Sequence, residues 1–167
     1  METAASKTRR MTSKKIKNIF INGAIPASFI AQKIQDHSNK THIGAHSIFL
    51  GQVRADTIDE KKVTAITYTA YEPMALESMH KIREAIFEKY NLTCMHVYHS
   101  LGTVKSGEVS LLVFTSSPHR KAAIDACGEV VERIKAELPV WGKELFEDET
   151  YQWKTNQPSN TTGNSDS

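Results

Sequence analysis

A lysine at the border of an apolar helix face is the first candidate for chemistry in this sequence. At about 100° per residue, one face of a predicted helix collects Ile124, Cys127, Val130, Val131, Ile134 and Leu138. Lys135 lies at the edge of that face, where loss of solvation would lower the pKa of its ammonium group and suit it to proton transfer. The alternative is that Lys135 extends along the apolar surface and keeps its charge in water.

The start of the same helix is a candidate anion site. Ser116-Ser-Pro-His-Arg120 precedes it, and the free N–H groups of a helix N-terminus attract anions. We expect one of the two serines to cap the helix and Pro118 to stand in its first turn, beside His119 and Arg120. A surface cap with a solvated arginine is the alternative. Because Lys135 lies some 20 Å further along the axis, both ends serve one site only if substrate, a loop or a second subunit bridges them.

Two other segments carry cations or an aromatic ring. Arg54 leaves a predicted strand after Gly51-Gln-Val, and from there a guanidinium can bind a phosphate with two hydrogen bonds. An exposed loop arginine is the other interpretation. Pro139-Val-Trp-Gly-Lys-Glu144 follows the helix, and its tryptophan, Trp141, either stacks on a ring or packs on the core.

The seven histidines and two cysteines form no recognisable metal motif. His96 and His99 would face opposite ways on a strand. Cys94 and Cys127 show no ligand spacing, and each lies in an apolar run, as reduced core thiols do. The sequence also lacks a phosphate-binding glycine loop, a nucleophile elbow and a dinucleotide fingerprint. We therefore expect no metal site.

The charge distribution argues against a nucleic-acid-binding function. The net charge is +2, but residues 1–17 hold six of the 21 Lys and Arg and one of the 19 Asp and Glu, which leaves the remainder near −3. Nucleic-acid-binding domains usually carry their basic excess on the folded body. The apolar runs are shorter than the roughly 18 residues of a membrane span, and no apolar signal segment opens the sequence. We expect a cytosolic protein that binds neither membranes nor nucleic acid.

One domain must position the candidate residues. We expect a disordered basic tail at 1–17, a folded catalytic domain at 18–156 and a disordered C-terminal tail at 157–167. Apolar periodicity predicts strands at 16–22, 42–54, 63–71, 92–99 and 108–115, and helices at 26–36, 73–90 and 118–138. This mixture favours an α+β fold, with two long helices and a mixed or antiparallel sheet.

Five stretches in collinear order resemble the large, catalytic subunits of molybdopterin synthases. They are Gly44–Arg54, Tyr68–Met74, His99–Gly102 with Gly107-Glu108, Thr115–Arg120, and Lys135–Trp141 with Lys143-Glu144, and they span about residues 40–153. The resemblance implies the α/β hammerhead fold of that family. It also implies a sulfurtransferase that adds two sulfurs in turn to cyclic pyranopterin monophosphate, which makes the molybdopterin dithiolene of the molybdenum cofactor.

The resemblance further implies partners. In that family a small ubiquitin-like carrier inserts its Gly-Gly C-terminus, activated as a thiocarboxylate, into a pocket of the large subunit. Two large subunits form the central dimer of a heterotetramer. The family needs no metal or organic cofactor for this step.

Carried over position by position, the family pattern implies roles for five residues of this chain. It assigns catalysis to Lys135 and Lys143. It assigns binding of the substrate and its phosphate to Arg54, His119 and Arg120 together with the same two lysines.

Two positions depart from the family pattern. Gly142 stands where the family has a lysine, so that Lys143 would have to reach the site through a flexible glycine, and Ser100 stands where the family has an arginine. These departures leave a second hypothesis open, a non-catalytic module that binds the tail of a ubiquitin-like carrier. A third hypothesis is an α+β protein that binds a phosphate ligand or RNA.

Overall fold

The computed structural model describes residues 16–155. Apart from Ile16 and Lys17, the expected tails at 1–17 and 157–167 lie outside this range. The elements in chain order are β1 (Phe20–Asn22), α1 (Ala27–Gln35), β2 (Ala45–Gln52), β3 (Thr57–Ile58), β4 (Lys61–Ala70), α2 (Glu72–Lys89), β5 (Cys94–Lys105), β6 (Val109–Ser117), α3 (Arg120–Glu137), β7 (Val140–Phe146) and β8 (Tyr151–Trp153). The fold is α+β with a mostly antiparallel sheet, as expected.

The strands form one sheet in the order β2-β6-β5-β4-β7-β8, with β1 paired to β5 and β3 paired to β4. Among the strand pairs of the described residues, only that of β1 with β5 is parallel. β5 pairs with β6 through its first half and with β4 through its second half. Gly102 lies at this changeover with a φ of 80°, a left-handed conformation that glycine adopts at little cost. β5 therefore connects the helix-covered half of the sheet to the half that carries β7 and β8.

The hydrophobic core lies on both faces of β6. On one face, Ile82 of α2 and Val130 of α3 join a cluster with Val113. On the other face, Phe29 of α1 packs against a cluster that contains Phe114. Because both faces are covered, almost every residue of β6 is buried, which explains its continuous apolar run in place of an alternating pattern.

The sequence locates the long helices but misplaces the start of α3. The helix begins at Arg120, with His119 as its N-cap and no side-chain cap hydrogen bond. The two serines that we expect to cap it belong to β6 instead, where neighbouring strands pair with them. Ile124, expected on the buried face, is 57% exposed, whereas Ala123 and Ala126 are fully buried. Small side chains occupy the closest contact between α3 and the sheet.

The hairpin of β7 and β8 is absent from the sequence-based prediction. β7 pairs along its length with β4, some 75 residues earlier in the chain, and such a long-range pairing leaves little local signal. None of the helices within residues 16–155 has the length and apolar character needed to cross a membrane.

Candidate active site

A pocket of about 170 Å³ lies where the end of α3 meets strands β4, β5 and β7. Strand register explains why these elements meet: Tyr68 of β4 pairs with Gly142 of β7, and the ring of His99 from β5 packs edge-on against Tyr68 at 5.1 Å between centroids. The residues that line the pocket are Tyr68, His99, Ile134, Lys135, Leu138, Val140, Trp141, Gly142 and Lys154.

Of the site residues that the sequence predicts, Lys135 is the one that lines this pocket. It stands in the last turn of α3. Lys135 is an exposed residue by surface area, but protein atoms around its ammonium group remove part of its solvation, which is the main reason why its pKa is lowered. The charge of Lys154 lowers the pKa further, and the carboxylate of Glu132 opposes both effects. A lysine with a lowered pKa exchanges its proton more readily near neutral pH, which suits acid–base chemistry.

His99 and Tyr68 form a neutral polar wall of the pocket. The Nδ1 atom of His99 lies 2.8 Å from the carbonyl oxygen of Ser100, so Nδ1 donates and Nε2 is left as an acceptor. Burial lowers the pKa of His99 to about 4, with a further lowering by the charge of Lys135, although the Ser100 hydrogen bond acts in the opposite sense. Burial also raises the pKa of Tyr68. The positive charge of the pocket therefore comes from Lys135 and Lys154.

Gly142 and Trp141 form the base and rim of the pocket. A Cβ atom at Gly142 would lie 3.0 Å from Cγ2 of Ile66 and 3.5 Å from Cε1 of Tyr68, so any side chain there would press on the wall. Trp141 is 51% exposed and is not a core residue. Its ring is available for stacking on a planar ligand.

Lys143 does not line this pocket. Successive residues of a strand face opposite sides of a sheet, so Lys143 points away from the side that Gly142 presents to the pocket. Its ammonium group lies over the ring of Tyr151, 4.6 Å from the centroid. The catalytic role that the family pattern implies for Lys143 stays a prediction.

Arg54 lies outside the pocket but at the same end of the sheet. His99 pairs with Leu111, and Leu111 pairs with Gly51, which places the end of β2 two strands away from His99. Arg54 follows shortly after that end. Its guanidinium forms an exposed ion pair with Asp56 at 3.2 Å, an interaction weak enough for an anionic ligand to replace.

His119 and Arg120 lie at the opposite end of α3 from Lys135. The helix has 18 residues, so at 1.5 Å per residue its ends are roughly 25 Å apart. Both residues are exposed. A single chain therefore does not bring the N-terminus of α3 to the pocket, and a second copy of the chain remains as the route by which the two could meet.

Ser100 is fully buried on β5 beside His99. Its hydroxyl has no hydrogen-bond partner within residues 16–155, and the residue does not line the pocket. Buried polar groups usually have a partner, so this hydroxyl is a local cost to stability.

A larger cavity of about 400 Å³ lies between α2, β5 and the segment before β1. Lys17, His80 and Arg83 are among its lining residues, and Arg83 donates a 2.6 Å hydrogen bond to the carbonyl of Met95 and lies over the ring of Phe87. We assign the chemistry to the smaller pocket, because two lysines converge there and the guanidinium in the larger cavity is already engaged.

Three residues could together offer ligand atoms to a metal. Nitrogen or sulfur atoms of His37, Cys94 and His96 lie within 4.8 Å of one another, a proximity that sequence spacing does not reveal. Each group already has a protein partner: the two Nε2 atoms lie 3.1 Å apart, and Lys40 donates to the Cys94 sulfur at 3.1 Å. The positive charges of lysines and an arginine also surround His96, which disfavours a cation. Both cysteines of the chain are free and buried, as expected.

Sequence reasoning assigned no role in the site to three of the polar lining residues, Tyr68, His99 and Lys154. Tyr68 and His99 fall inside stretches that carry the family resemblance, but only the strand register shows that their rings meet. Lys154 follows Tyr151-Gln-Trp, and the polar Glu147–Thr150 stretch before it is a hairpin signal that would have paired Lys154 with the Gly142 region.

Comparisons with known proteins identify the family of this chain. A family model described as "MoaE protein" matches residues 25–137. Molybdopterin synthase catalytic subunits from Drosophila willistoni and Aspergillus fumigatus are 42% and 34% identical over 70% and 77% of this chain, and the matches cover 32% and 68% of those proteins. The chain thus spans about a third of the length of the Drosophila relatives.

Solved structures show the same fold. A molybdopterin synthase from Staphylococcus aureus superposes with a TM-score of 0.72 at 31% identity, covering 82% of this chain and 96% of that one. A complex of subunits 1 and 2 of the molybdopterin-converting factor from Helicobacter pylori gives 0.69 at 22% identity, over 80% and 87% of the two chains, and supports the fold alone. With the match to the family model, these similarities show that the chain belongs to the MoaE family, the family of molybdopterin synthase catalytic subunits.

Proposed function

We propose that this chain is a sulfurtransferase, the catalytic subunit of a molybdopterin synthase. It would move sulfur from a thiocarboxylated carrier protein to cyclic pyranopterin monophosphate and so form the dithiolene of molybdopterin. The observation that carries the proposal is the placement of Lys135, with its lowered pKa, in a pocket lined by a second lysine and an exposed tryptophan.

The pocket residues match the demands of this reaction. The thiocarboxylate brings its own sulfur nucleophile, so no cysteine of this chain is needed, and both are buried in the core. Attack on a pterin side-chain carbon forms a carbon–sulfur bond, breaks the carbon–oxygen bond at that carbon and leaves the carrier attached as a thioester, while the departing oxygen takes up a proton. Water then releases the carrier as a carboxylate through a tetrahedral oxyanion. Lys135 would stabilise that oxyanion and exchange protons at the pterin carbons.

The phosphate of the precursor needs a cationic partner. Arg54, at the same end of the sheet as the pocket, could release Asp56 and bind it. His119 and Arg120 would reach the same phosphate from a second copy of the chain, because the length of α3 separates them from Lys135 in one chain. This assignment includes the homodimer as part of the working enzyme. Lys143 would contribute only after leaving the ring of Tyr151.

A small ubiquitin-like carrier is the partner that the proposal requires. The Helicobacter pylori structure is a complex of two different subunits, and the proposal gives this chain an assembly of the same kind. We assign the reaction to the cytosol, where thiols stay reduced, in keeping with two free cysteines.

Reconstitution tests the proposal. The chain would be incubated with the cyclic pterin precursor and either thiocarboxylated carrier or the same carrier with an ordinary carboxylate. We expect dithiolene product with the thiocarboxylate only. If the chain binds the carrier but makes no product, the alternative of a non-catalytic module that docks a carrier tail, suggested by Gly142, is correct instead.

A further inference from the structure

Lys154 directly follows strand β8 of the β7–β8 hairpin and lines the pocket. Its backbone N–H donates a 2.8 Å hydrogen bond to the carbonyl of Gly142, which extends the pairing of the two strands one step beyond Trp153. The side chain of Lys154 lines the pocket that also contains Lys135. The two lysines therefore reach one space from two unrelated elements, a helix end and a strand end.

The turn of this hairpin is anchored so that Lys154 keeps its register. Asp148 accepts a 3.0 Å hydrogen bond from the backbone N–H of Thr150. Lys61 of β4 forms an ion pair with Asp148 at 2.9 Å and donates to the Thr150 hydroxyl at 3.1 Å. Because β7 pairs with β4 and Lys61 ties the turn of the hairpin to β4, Lys154 belongs to a fixed element of the sheet.

The lining of the pocket is suited to an anion. It contains two lysines, a neutral histidine and a tyrosine, and none of the described lining residues carries a carboxylate. Two carboxylates act on the lining from outside it: Glu132 on Lys135 and the buried Glu144 on Tyr68. Two ammonium groups that face one cavity repel each other, and a negative group between them removes the repulsion and gains two charge-assisted hydrogen bonds.

We propose that Lys154 is a substrate-binding residue that holds, together with Lys135, a compact oxyanion in this pocket. This inference deepens the proposed function and rests on it. A pocket of about 170 Å³ is smaller than the roughly 300 Å³ or more of typical small-molecule sites. It therefore accepts an anionic end group and leaves the body of the ligand outside.

Two sources could supply this oxyanion, the carboxyl-type terminus of the carrier and the phosphate of the pterin. Their chemistry at the two lysines is the same, so kinetics must separate them. A Lys154→Gln variant that raises KM for the carrier alone identifies the carrier terminus. One that raises KM for the precursor alone identifies the phosphate.

The kinetic experiment compares three variants of the full chain in the reconstituted assay. Lys154→Gln should lower kcat/KM about ten- to a hundredfold, the usual effect of losing a charge-assisted hydrogen bond. Lys154→Arg, which keeps the charge, should recover most of that loss. Lys81→Gln removes a lysine from an exposed surface pair of α2 and should match the unchanged chain. Wild-type kinetics in Lys154→Gln, or equal losses in the Gln and Arg variants, would overturn the inference.

A second measurement does not depend on turnover. NMR titration of the lysine side chains should show the pKa of Lys135 rising in Lys154→Gln, because a repelling charge has been removed. Inorganic phosphate should shift the Lys135 signal in the unchanged chain and do so more weakly in Lys154→Gln. If the assay yields no product but these shifts occur, the proposed function fails and the two-lysine anion site stands. If product forms but Lys135 responds to neither change, the inference about Lys154 fails alone.

Discussion

The site is built at the cost of placing a charged lysine where solvation is poor. The lowered pKa of Lys135 means that the folded chain binds its proton less tightly than the unfolded chain does. Lys135 therefore reduces stability at pH values below its folded pKa, and this cost disappears as the pH rises to the ordinary lysine value of about 10.5. The sequence indicates this residue through its place at the border of an apolar face, but not the second lysine that shares its pocket.

Replacing Lys135 by methionine should separate stability from function. The Lys135→Met variant keeps the length of the side chain and removes the poorly solvated charge, so its melting temperature at pH 7 should equal or exceed that of the unchanged chain. Its product formation should fall by at least about a hundredfold. Thermal denaturation checks the expected melting temperature, and the product assay checks the expected loss of activity. A variant that keeps its activity would remove Lys135 from the catalytic role.

Removing the buried hydroxyl of Ser100 should raise stability and leave activity unchanged. Ser100→Ala removes a polar group that has no partner within the described residues, so the free energy of unfolding should rise by up to about 1 kcal/mol. Because Ser100 does not line the pocket, kcat/KM should stay within about twofold. Urea denaturation measures the first effect. A clear loss of stability would show that the hydroxyl has a partner in solution, such as a water molecule.

At the scale of elements, periodicity predicts the helices well because α2 and α3 each bury a single apolar stripe. It does not predict β7 and β8, whose stability comes from pairing with β4. It also does not reveal that β5 carries His96 and His99 into regions where they lose solvation. Strand β5 thus brings two proton-sensitive groups into the fold.

The pH dependence of stability should reflect this feature of β5. Burial lowers the pKa of His99 from 6.5 to about 4. The neutral, buried His99 therefore contributes its full share to the free energy of unfolding above pH 6.5, and this share is lost as the pH falls toward 4. That difference corresponds to roughly 3 kcal/mol. Urea denaturation between pH 7 and 4 should show a steep loss of stability that His99→Asn makes shallower. His80→Gln, on the surface of α2, should leave the slope unchanged, and equal slopes in all three proteins would contradict this account.

Two glycines allow a tightly packed position to be compared with an open one: Gly44 lies against the segment just before α3, and Gly128 lies within α3. A Cβ atom at Gly44 would lie 2.2 Å from the carbonyl oxygen of Pro118, just before the helix. One at Gly128 within α3 would meet no atom of residues 16–155 within 4 Å, apart from its chain neighbours and the nearby backbone of its own helix. Gly44→Ala should lower the free energy of unfolding by about 2 kcal/mol or more. Gly128→Ala should raise it by about 0.5–1 kcal/mol through helix propensity. Similar effects of both changes on the urea midpoint would show that the close approach at Gly44 is absent.

At the scale of the whole molecule, one chain holds the candidate residues in two groups. Lys135 lies with His99, Tyr68 and Lys154 at one end of α3, and Arg120 lies at the other. The sequence predicts residues of both groups. It cannot show whether one subunit or two supply them to a shared site, because that depends on a contact between copies of the chain. Our account requires the groups to meet across a dimer.

Complementation between two defective chains tests this requirement most directly. Lys135→Ala and Arg120→Ala chains with different affinity tags would be co-expressed, and the mixed dimer would be isolated by tandem purification and assayed at low precursor concentration. One of its two sites would then contain both Lys135 and Arg120, so the mixed dimer should regain about half of the wild-type activity, while each parent dimer stays nearly inactive. Failure to recover a mixed dimer, or a mixed dimer no more active than its parents, would contradict the account.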